Sequence, residues 1–186
     1  MKELIFVTGN SNKFHTAEHI CKSAGIKLKQ RILEIDEIQG EDDSVIALDK
    51  AQKAFDIVNG PLVISDDTWS ITGLNGWPGP YMKSMNHWLT PNNFLNLTKD
   101  LEDRTVYLNQ TVVYQDKNIQ KIFTNRIEGK LLDTVADFPG VPWMQVVSLT
   151  SDGRSLAEVR HSSPEQLATE NTNVWHNVAD WLQKRH

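Results

Sequence analysis

The sequence holds one cysteine, Cys21, in 186 residues. One thiol closes no internal disulfide and builds no cysteine-rich zinc site, and it suits a reducing compartment, so the expected location is cytoplasmic. No run approaches the roughly 18 consecutive apolar residues of a membrane-spanning helix, so no membrane partner is expected. The opening segment from Met1 to Asn10 has only a short apolar run before polar residues, and it reads as a strand rather than a secretory leader. Without such a leader, the sequons at Asn96-Leu97-Thr98 and Asn109-Gln110-Thr111 read as chance matches. Positive charge is in short supply. Lys and Arg number 19 against 24 Asp and Glu, a net charge of −5 that argues against a nucleic-acid polymer as partner. A Walker G-x-x-x-x-G-K, a G-x-S-x-G elbow, internal repeats and low-complexity tracts are all missing.

Hydrophobic residues make up 39% of the chain, enough for a real core. The length fits one domain, residues 1–186, built as two lobes around a cleft. Leu4–Val7 reads as a buried strand ending in a turn at Thr8-Gly9-Asn10. Helical spacing follows from Ser11 to about Ala24, with Ser11 as the expected cap and Gly25 as the stop. Leu28–Ile35 reads as a second strand. Glu37 to Ser44 is an acidic loop, and Ser44 is expected to cap a helix with Ala47, Leu48, Ala51, Ala54, Phe55 and Val58 on one face. Leu62–Ile64 reads as a short strand running into Ser65-Asp66-Asp67-Thr68. Irregular chain is expected over Gly73–Pro80, a helix over Asn93–Leu101, and a hairpin from Val106–Tyr114 and Ile119–Ile127. Trp143–Leu149 looks strand-like. Ser163-Pro164-Glu165 opens a final helix that would bury Ala168, Val174, Val178, Ala179 and Leu182. The alternation is α/β, with parallel strands early and a hairpin later.

Three places carry polar groups that packing does not require. Thr8-Gly9-Asn10-Ser11-Asn12-Lys13 joins a strand to a helix. Free N–H groups and the positive end of the helix dipole suit a phosphate there, and Lys13 adds a full charge. The same residues also suit plain helix capping. Asp66-Asp67 places two like charges side by side. A cation would relieve their repulsion, and one carboxylate could position a water; a polar turn before Trp69 is the plainer reading. The loop Glu37-Ile38-Gln39-Gly40-Glu41-Asp42-Asp43 is either a solvated acidic stretch or the source of a second carboxylate for Mg²⁺. His15 and His19, spaced i, i+4, lack an evident third ligand for zinc. Asp133, Asp137 and His161 could be arranged as a hydrolytic triad only with a nucleophile the sequence does not display. The six tryptophans read as core, with Trp143 and Trp175 the two that could instead stack a base.

Taken together, these segments resemble the inosine triphosphate pyrophosphatase family. Phe6-Val7-Thr8-Gly9-Asn10-Ser11-Asn12-Lys13 is similar to its opening T-x-N-x-x-K motif, and Glu37-Ile38-Gln39-Gly40-Glu41 to its E-x-Q-G-E loop. Lys50-Ala51-Gln52-Lys53-Ala54 matches its lysine-bearing second helix. Ser65-Asp66-Asp67-Thr68 resembles its (E/D)-D-(T/S) motif, and Gly76 to Lys83 its G-x-P-G-P-Y-x-K segment. Five motifs in order span residues 4–83. The resemblance implies an elongated mixed β-sheet with flanking helices, two lobes around a nucleotide cleft, and a homodimer. It implies Mg²⁺-dependent cleavage of nucleoside triphosphates, preferentially ITP, dITP and XTP, to a monophosphate and pyrophosphate. By position, Thr8, Asn10, Lys13 and Thr68 would bind substrate, and Lys50 and Lys83 would neutralise phosphate charge. Glu37 and Asp67 would hold Mg²⁺. Asp67 would also activate water, with Asp66 as its partner and Lys13 assisting catalysis.

The second half departs from that pattern. The family's G-[FW]-G-[YW]-D-P segment is replaced by Asp137-Phe138-Pro139-Gly140-Val141-Pro142-Trp143, which keeps Phe138 for stacking and lacks the base-reading aspartate. The S-H-R motif survives only as His176 in Trp175-His176-Asn177, its preceding lysine position falls near Asn171, and Thr16 stands where a glutamate is usual. The phosphate and metal groups are thus retained while the base-reading groups change. Three functions follow as expectations: a pyrophosphohydrolase of altered base preference, a nucleotide-binding regulatory protein with little or no turnover, and an interaction module that binds no nucleotide.

Overall fold

The computed structural model describes residues 2–185. The chain is a mixed α/β protein whose sheet runs in the order β2-β1-β3-β5-β6-β7, with β4 paired to β3. It divides into two compact units. The first comprises Met1–Asp66, Gln110–Asn125 and Asn173–His186; the second comprises Asp67–Asn109 and Arg126–Thr172. Strands β3 (Leu62–Ile71), β5 (Thr105–Gln115) and β6 (Gln120–Leu131) each run from one unit into the other.

In the first unit, β1 (Lys2–Val7) lies parallel to both β2 (Ile26–Arg31) and the start of β3, with Phe6 opposite Gln30 and Val63. Alternation along β1 divides its side chains between two faces. Leu4 and Phe6 pack with Ala17, Ile20 and Cys21 of helix α1 (Ser11–Ser23) and with Val174, Trp175 and Val178 of helix α7 (Val174–Lys184). Val7 and Ile5 join the other face, against Ala47, Ala51 and Ala54 of helix α2 (Asp43–Val58). The small residues of α2 let its backbone approach the sheet. Each fully buried Leu, Ile or Phe here contributes about 1.5–3 kcal/mol.

Both helix caps fall one or two residues before their expected positions. Asn10, not Ser11, caps α1, and Asp42, not Ser44, caps α2; each side chain accepts amides of the first turn. Gly25, at φ +74°, ends the first helical turn-out as expected. The second strand is β2, Ile26–Arg31, so it starts and stops earlier than the apolar pattern through Ile35 indicates.

In the second unit, the far half of β3 pairs with β4 (Pro78–Gly79) in antiparallel fashion, Trp69 opposite Gly79. The glycine- and proline-rich segment is therefore ordered: a 3₁₀ turn at Thr72–Leu74, positive φ at Asn75, Gly76 and Gly79, and a cis Trp77–Pro78 bond. Helix α3 (Met82–Trp88) follows, then α4 (Pro91–Thr98), which begins earlier than expected because Thr90 and Asn93 form a reciprocal cap. Trp69, Phe94 and Trp143 make a buried aromatic cluster with ring centroids 5.4 and 5.3 Å from Trp143.

Two further expectations are corrected here. Trp143–Leu149 is mostly a 3₁₀ turn, Pro142–Gln145, followed by the two-residue strand β7 (Val147–Ser148). The expected final helix from Pro164 is two helices, α6 (Pro164–Glu170) and α7, and a further helix that the sequence pattern did not suggest, α5 (Leu156–Ser162), precedes them. Val174, Val178 and Ala179 are buried and Leu182 is partly so, while the side chain of Ala168 lies outside the described residues.

Candidate active site

The turn after β1 is held by its own polar groups. The Thr8 amide donates to Arg31 O at 3.0 Å, and Gln30 Nε2 donates to Thr8 O at 3.0 Å. Thr8 Oγ1 accepts the Asn10 amide at 3.1 Å, and Asn10 Oδ1 accepts the Lys13 amide at 3.1 Å. The capping reading of Asn10 thus holds. It leaves the positive end of a 13-residue helix, with Lys13 in its first turn, at the close of a buried strand. In the same unit, Lys50 on α2 pairs with Glu37 of the acidic loop, Nζ to Oε1 at 2.5 Å, with the lysine largely buried and Glu37 more exposed. Lys53 holds the base of that loop through Asp36 O at 2.8 Å. Glu37 and Lys50, distant in sequence, are therefore brought together. His176 is exposed in the first turn of α7, its Nδ1 3.1 Å from Asn173 O, and Trp175-His176-Asn177 does open the last helix.

Asp66 and Asp67 stand in the interior of β3, not in a turn after it. Strand alternation sends consecutive side chains to opposite faces, which relieves the repulsion that adjacency suggests. Asp66 belongs to the first unit and Asp67 to the second. Both are partly buried, while Ser65 and Thr68 on either side are buried. Thr68 Oγ1 receives Asn109 Nδ2 at 3.4 Å, and the same amide reaches Ser70 Oγ at 3.3 Å. Lys83 is exposed in the first turn of α3, just beyond the β4 fold-back.

The sequence also passed over a cation of the second unit. Arg160, in the last turn of α5, lies within electrostatic range of Asp67. Partial burial of its guanidinium lowers its pKa from the ordinary arginine value, and the charge on Asp67 opposes that shift. Arg160 Nη1 approaches Met144 Sδ at 3.5 Å, and the next residue, His161, has its ring 6.0 Å from that of Phe138. No motif marks Arg160; only the fold of α5 against the 3₁₀ turn brings it here.

The other candidates resolve into structure. Trp143 is buried in the aromatic cluster, and its backbone amide donates to Asn86 Oδ1 at 2.9 Å; Trp175 is buried against Phe6, ring centroids 4.8 Å apart. Both are core, and neither is exposed enough to stack a base. Asp133 pairs with Arg104 at 3.4 Å while His161 faces Phe138, so the triad candidates serve other contacts. Among the described residues no three His, Cys, Asp or Glu side chains stand together as a metal cluster, and the His15–His19 pair gains no third ligand. Asn171, near the position of the expected lysine, donates to Leu149 O at 3.0 Å and borders a groove of about 890 Å³ within the second unit.

A parallel β-α-β opening, a capped helix start after the first strand and an acidic loop tied to the second helix define an α/β protein with a helix N-terminus suited to an anion. Residues 4–169 match the model of the Ham1 family, and the chain belongs to that family. The match ends before α7, where the S-H-R departure lies. Among curated relatives, the dITP/XTP pyrophosphatase of Methanosarcina acetivorans is 32% identical over 132 residues, 70% of this chain and 72% of its own. That of Methanopyrus kandleri is 27% identical over 182 residues, 97% of this chain and 96% of its own. Among solved structures, a HAM1 protein from Coxiella burnetii covers 99% of this chain and 100% of its own at TM-score 0.82 and 18% identity, a likeness of fold.

Proposed function

We propose that this chain is a Mg²⁺-dependent nucleoside triphosphate pyrophosphohydrolase, a single domain over residues 1–186, acting on deaminated purine triphosphates of the ITP, dITP or XTP kind or on other modified nucleotides. The observation that carries this reading is the retention of Lys13, Glu37, Lys50, Asp67 and Lys83 in a Ham1-family chain whose relatives are named dITP/XTP pyrophosphatases. A triphosphate carries about four negative charges near neutral pH, so a net-acidic protein must concentrate cations locally to hold one. Thr8, Asn10, Lys13 and Thr68 bind the substrate, Lys50 and Lys83 offset charge that develops on the phosphates, and Phe138 and His176 serve the base end. Glu37 and Asp67 suit Mg²⁺, an ion that takes one or two carboxylates and completes its shell with phosphate oxygens and water. When bound, that ion polarises a phosphoryl oxygen and lowers the pKa of water. Asp67 accepts a proton as the water oxygen bonds to the α-phosphorus; the bond from that phosphorus to the bridging oxygen breaks, and pyrophosphate leaves with its electron pair. Asp66 supports Asp67 through the strand they share. The reading extends to a homodimer in the cytoplasm, which light scattering of the purified protein checks for assembly.

The test is pyrophosphate release with Mg²⁺ over ITP, dITP, XTP and the eight standard triphosphates. Asp67→Asn is expected to lower kcat by about 10²–10⁴-fold, the range of a lost general base, with nucleotide binding retained. Turnover unchanged in that variant contradicts the assigned mechanism. One observation favours a second reading, a nucleotide-binding regulatory protein with little turnover: the resemblance puts a lysine near Asn171 and an arginine at Asn177, and this chain has asparagine at both. Calorimetry that detects nucleotide binding beside a silent release assay would select it.

A further inference from the structure

The turn proposed to hold phosphate, residues 8–13, is tied to the strand beside it by a side chain that belongs to none of the five motifs. β1 and β2 run parallel with Val7 opposite Arg31, and the Thr8 amide carries the pairing one step on by donating to Arg31 O at 3.0 Å. In a parallel ladder the Thr8 carbonyl would then take the amide two residues further along, at Leu33. β2 stops at Arg31, before that amide. The side chain of Gln30 fills the place: its Nε2 donates to Thr8 O at 3.0 Å, in a partly buried setting. The peptide unit between Thr8 and Gly9 is planar and trans, so drawing Thr8 O toward β2 turns the Gly9 N–H to the opposite side. Gly9 is exposed and carries no side chain to shield that N–H. The Asn10 amide goes to Thr8 Oγ1 and the Lys13 amide to Asn10 Oδ1, each at 3.1 Å. The order of the turn therefore starts from Thr8, and Gln30 sets how Thr8 is held.

We propose that Gln30 is a positioning residue for the phosphate chain of the nucleotide: by holding Thr8 O it aims the Gly9 N–H and fixes the turn that carries Asn10 and Lys13. This rests on the reading of residues 8–13 as a substrate-binding turn. Gln30 itself touches no substrate. A turn already held in its binding arrangement loses less freedom when the anion arrives, and the Gln30 amide supplies that hold.

The test compares wild type with Gln30→Met and Gln30→Ala, which both lack the donor, and with Lys13→Met as the control for the turn itself. Calorimetry reads the binding of inorganic tripolyphosphate with Mg²⁺, kinetics reads kcat and KM for ITP, and urea unfolding reads the fold. Both Gln30 variants are expected to weaken tripolyphosphate binding and raise KM by about three- to tenfold, the loss of one hydrogen bond, with kcat changed much less. A lowered urea midpoint with binding and KM unmoved overturns the proposal, because Gln30 then supports the fold alone. Binding that falls in Lys13→Met but in neither Gln30 variant also overturns it, and leaves the phosphate turn standing. Binding unchanged in Lys13→Met, or absent in wild type, overturns the proposal together with that reading of the turn. Wild type that binds tripolyphosphate with the expected dependence on Gln30, but releases no pyrophosphate from any nucleotide, supports the proposal and sinks the hydrolase reading instead.

Discussion

Asn10 accepts the Lys13 amide at 3.1 Å and so closes the first turn of α1. Its own amide is engaged by Thr8 Oγ1, which fixes the angle at which the chain leaves β1. Two roles therefore meet in one side chain: capping a helix against the sheet, and presenting the helix start to a phosphate. Asn10→Ala removes the cap and should cost about 1 kcal/mol of stability, read as a lower denaturant midpoint. If the turn also binds phosphate, KM for the preferred triphosphate rises as well, with kcat changed much less. A stability loss with KM unmoved would leave Asn10 a cap alone. Asn10→Asp separates the two roles in one variant, because aspartate caps as well as asparagine but sets a negative charge beside the phosphate. It should hold the midpoint while raising KM.

Strand β6 packs against β7 at a point where no side chain fits. A Cβ on Gly129 would stand 2.3 Å from the Ser148 carbonyl oxygen and 2.6 Å from Leu149 Cδ2, and the oxygen is backbone, which cannot turn aside. Lys130 pairs with Ser148 in the same register. Gly129→Ala should lower stability by about 1–3 kcal/mol or more, seen in urea unfolding, because β7 must shift or unpair. Such close approaches are not visible in a sequence, where Gly129 reads as one more strand residue. The elements that were legible, β1, α1, α2 and the β5–β6 hairpin, carry a clear period of 2 or 3.6 over a long enough stretch. Those that were not have physical reasons. Asp66-Asp67 looks like a strand end because charge is rare inside a buried strand, and only pairing partners far along the chain carry β3 on to Ile71. Helix α5 spans seven residues, too short for periodicity to declare itself, so Arg160 went unmarked with it. Trp143–Leu149 is apolar enough for a strand, but Trp143 packs on Trp69 and Phe94, and only Val147 and Ser148 join a ladder, on β6. Of the candidate site, residue types and order were legible over the first 83 positions; the contact between Glu37 and Lys50 required the fold.

At the scale of the whole molecule, stability should depend on pH through two groups in one core cluster. Cys21 and Tyr114 both pack in the cluster formed by β1, α1, α7 and the hairpin of the first unit. Burial pushes the Cys21 thiol up to about 12. Burial also raises the Tyr114 phenol to about 12, helped by its hydrogen bond to Asp116 and that carboxylate's charge, with Arg185 opposing. Both groups stay protonated in the fold at a pH where the unfolded chain has released them, at roughly 8.5 for cysteine and 10 for tyrosine. Between those values and about 12 the folded state binds more protons than the unfolded, so stability falls as pH rises. The full contribution is present below about pH 8.5 and fades from there, at no more than about 1.4 kcal/mol per pH unit for each proton. Urea midpoints measured from pH 7 to 11 should hold level to about pH 8.5 and then decline, more steeply above 10. Cys21→Ala should start lower at neutral pH, since it shrinks a filled site, but lose the decline between about pH 8.5 and 10. Tyr114→Phe should keep that first decline and lose the steeper limb. Midpoints independent of pH up to 11 in wild type would mean that neither group is held protonated by the fold, and that water reaches this core.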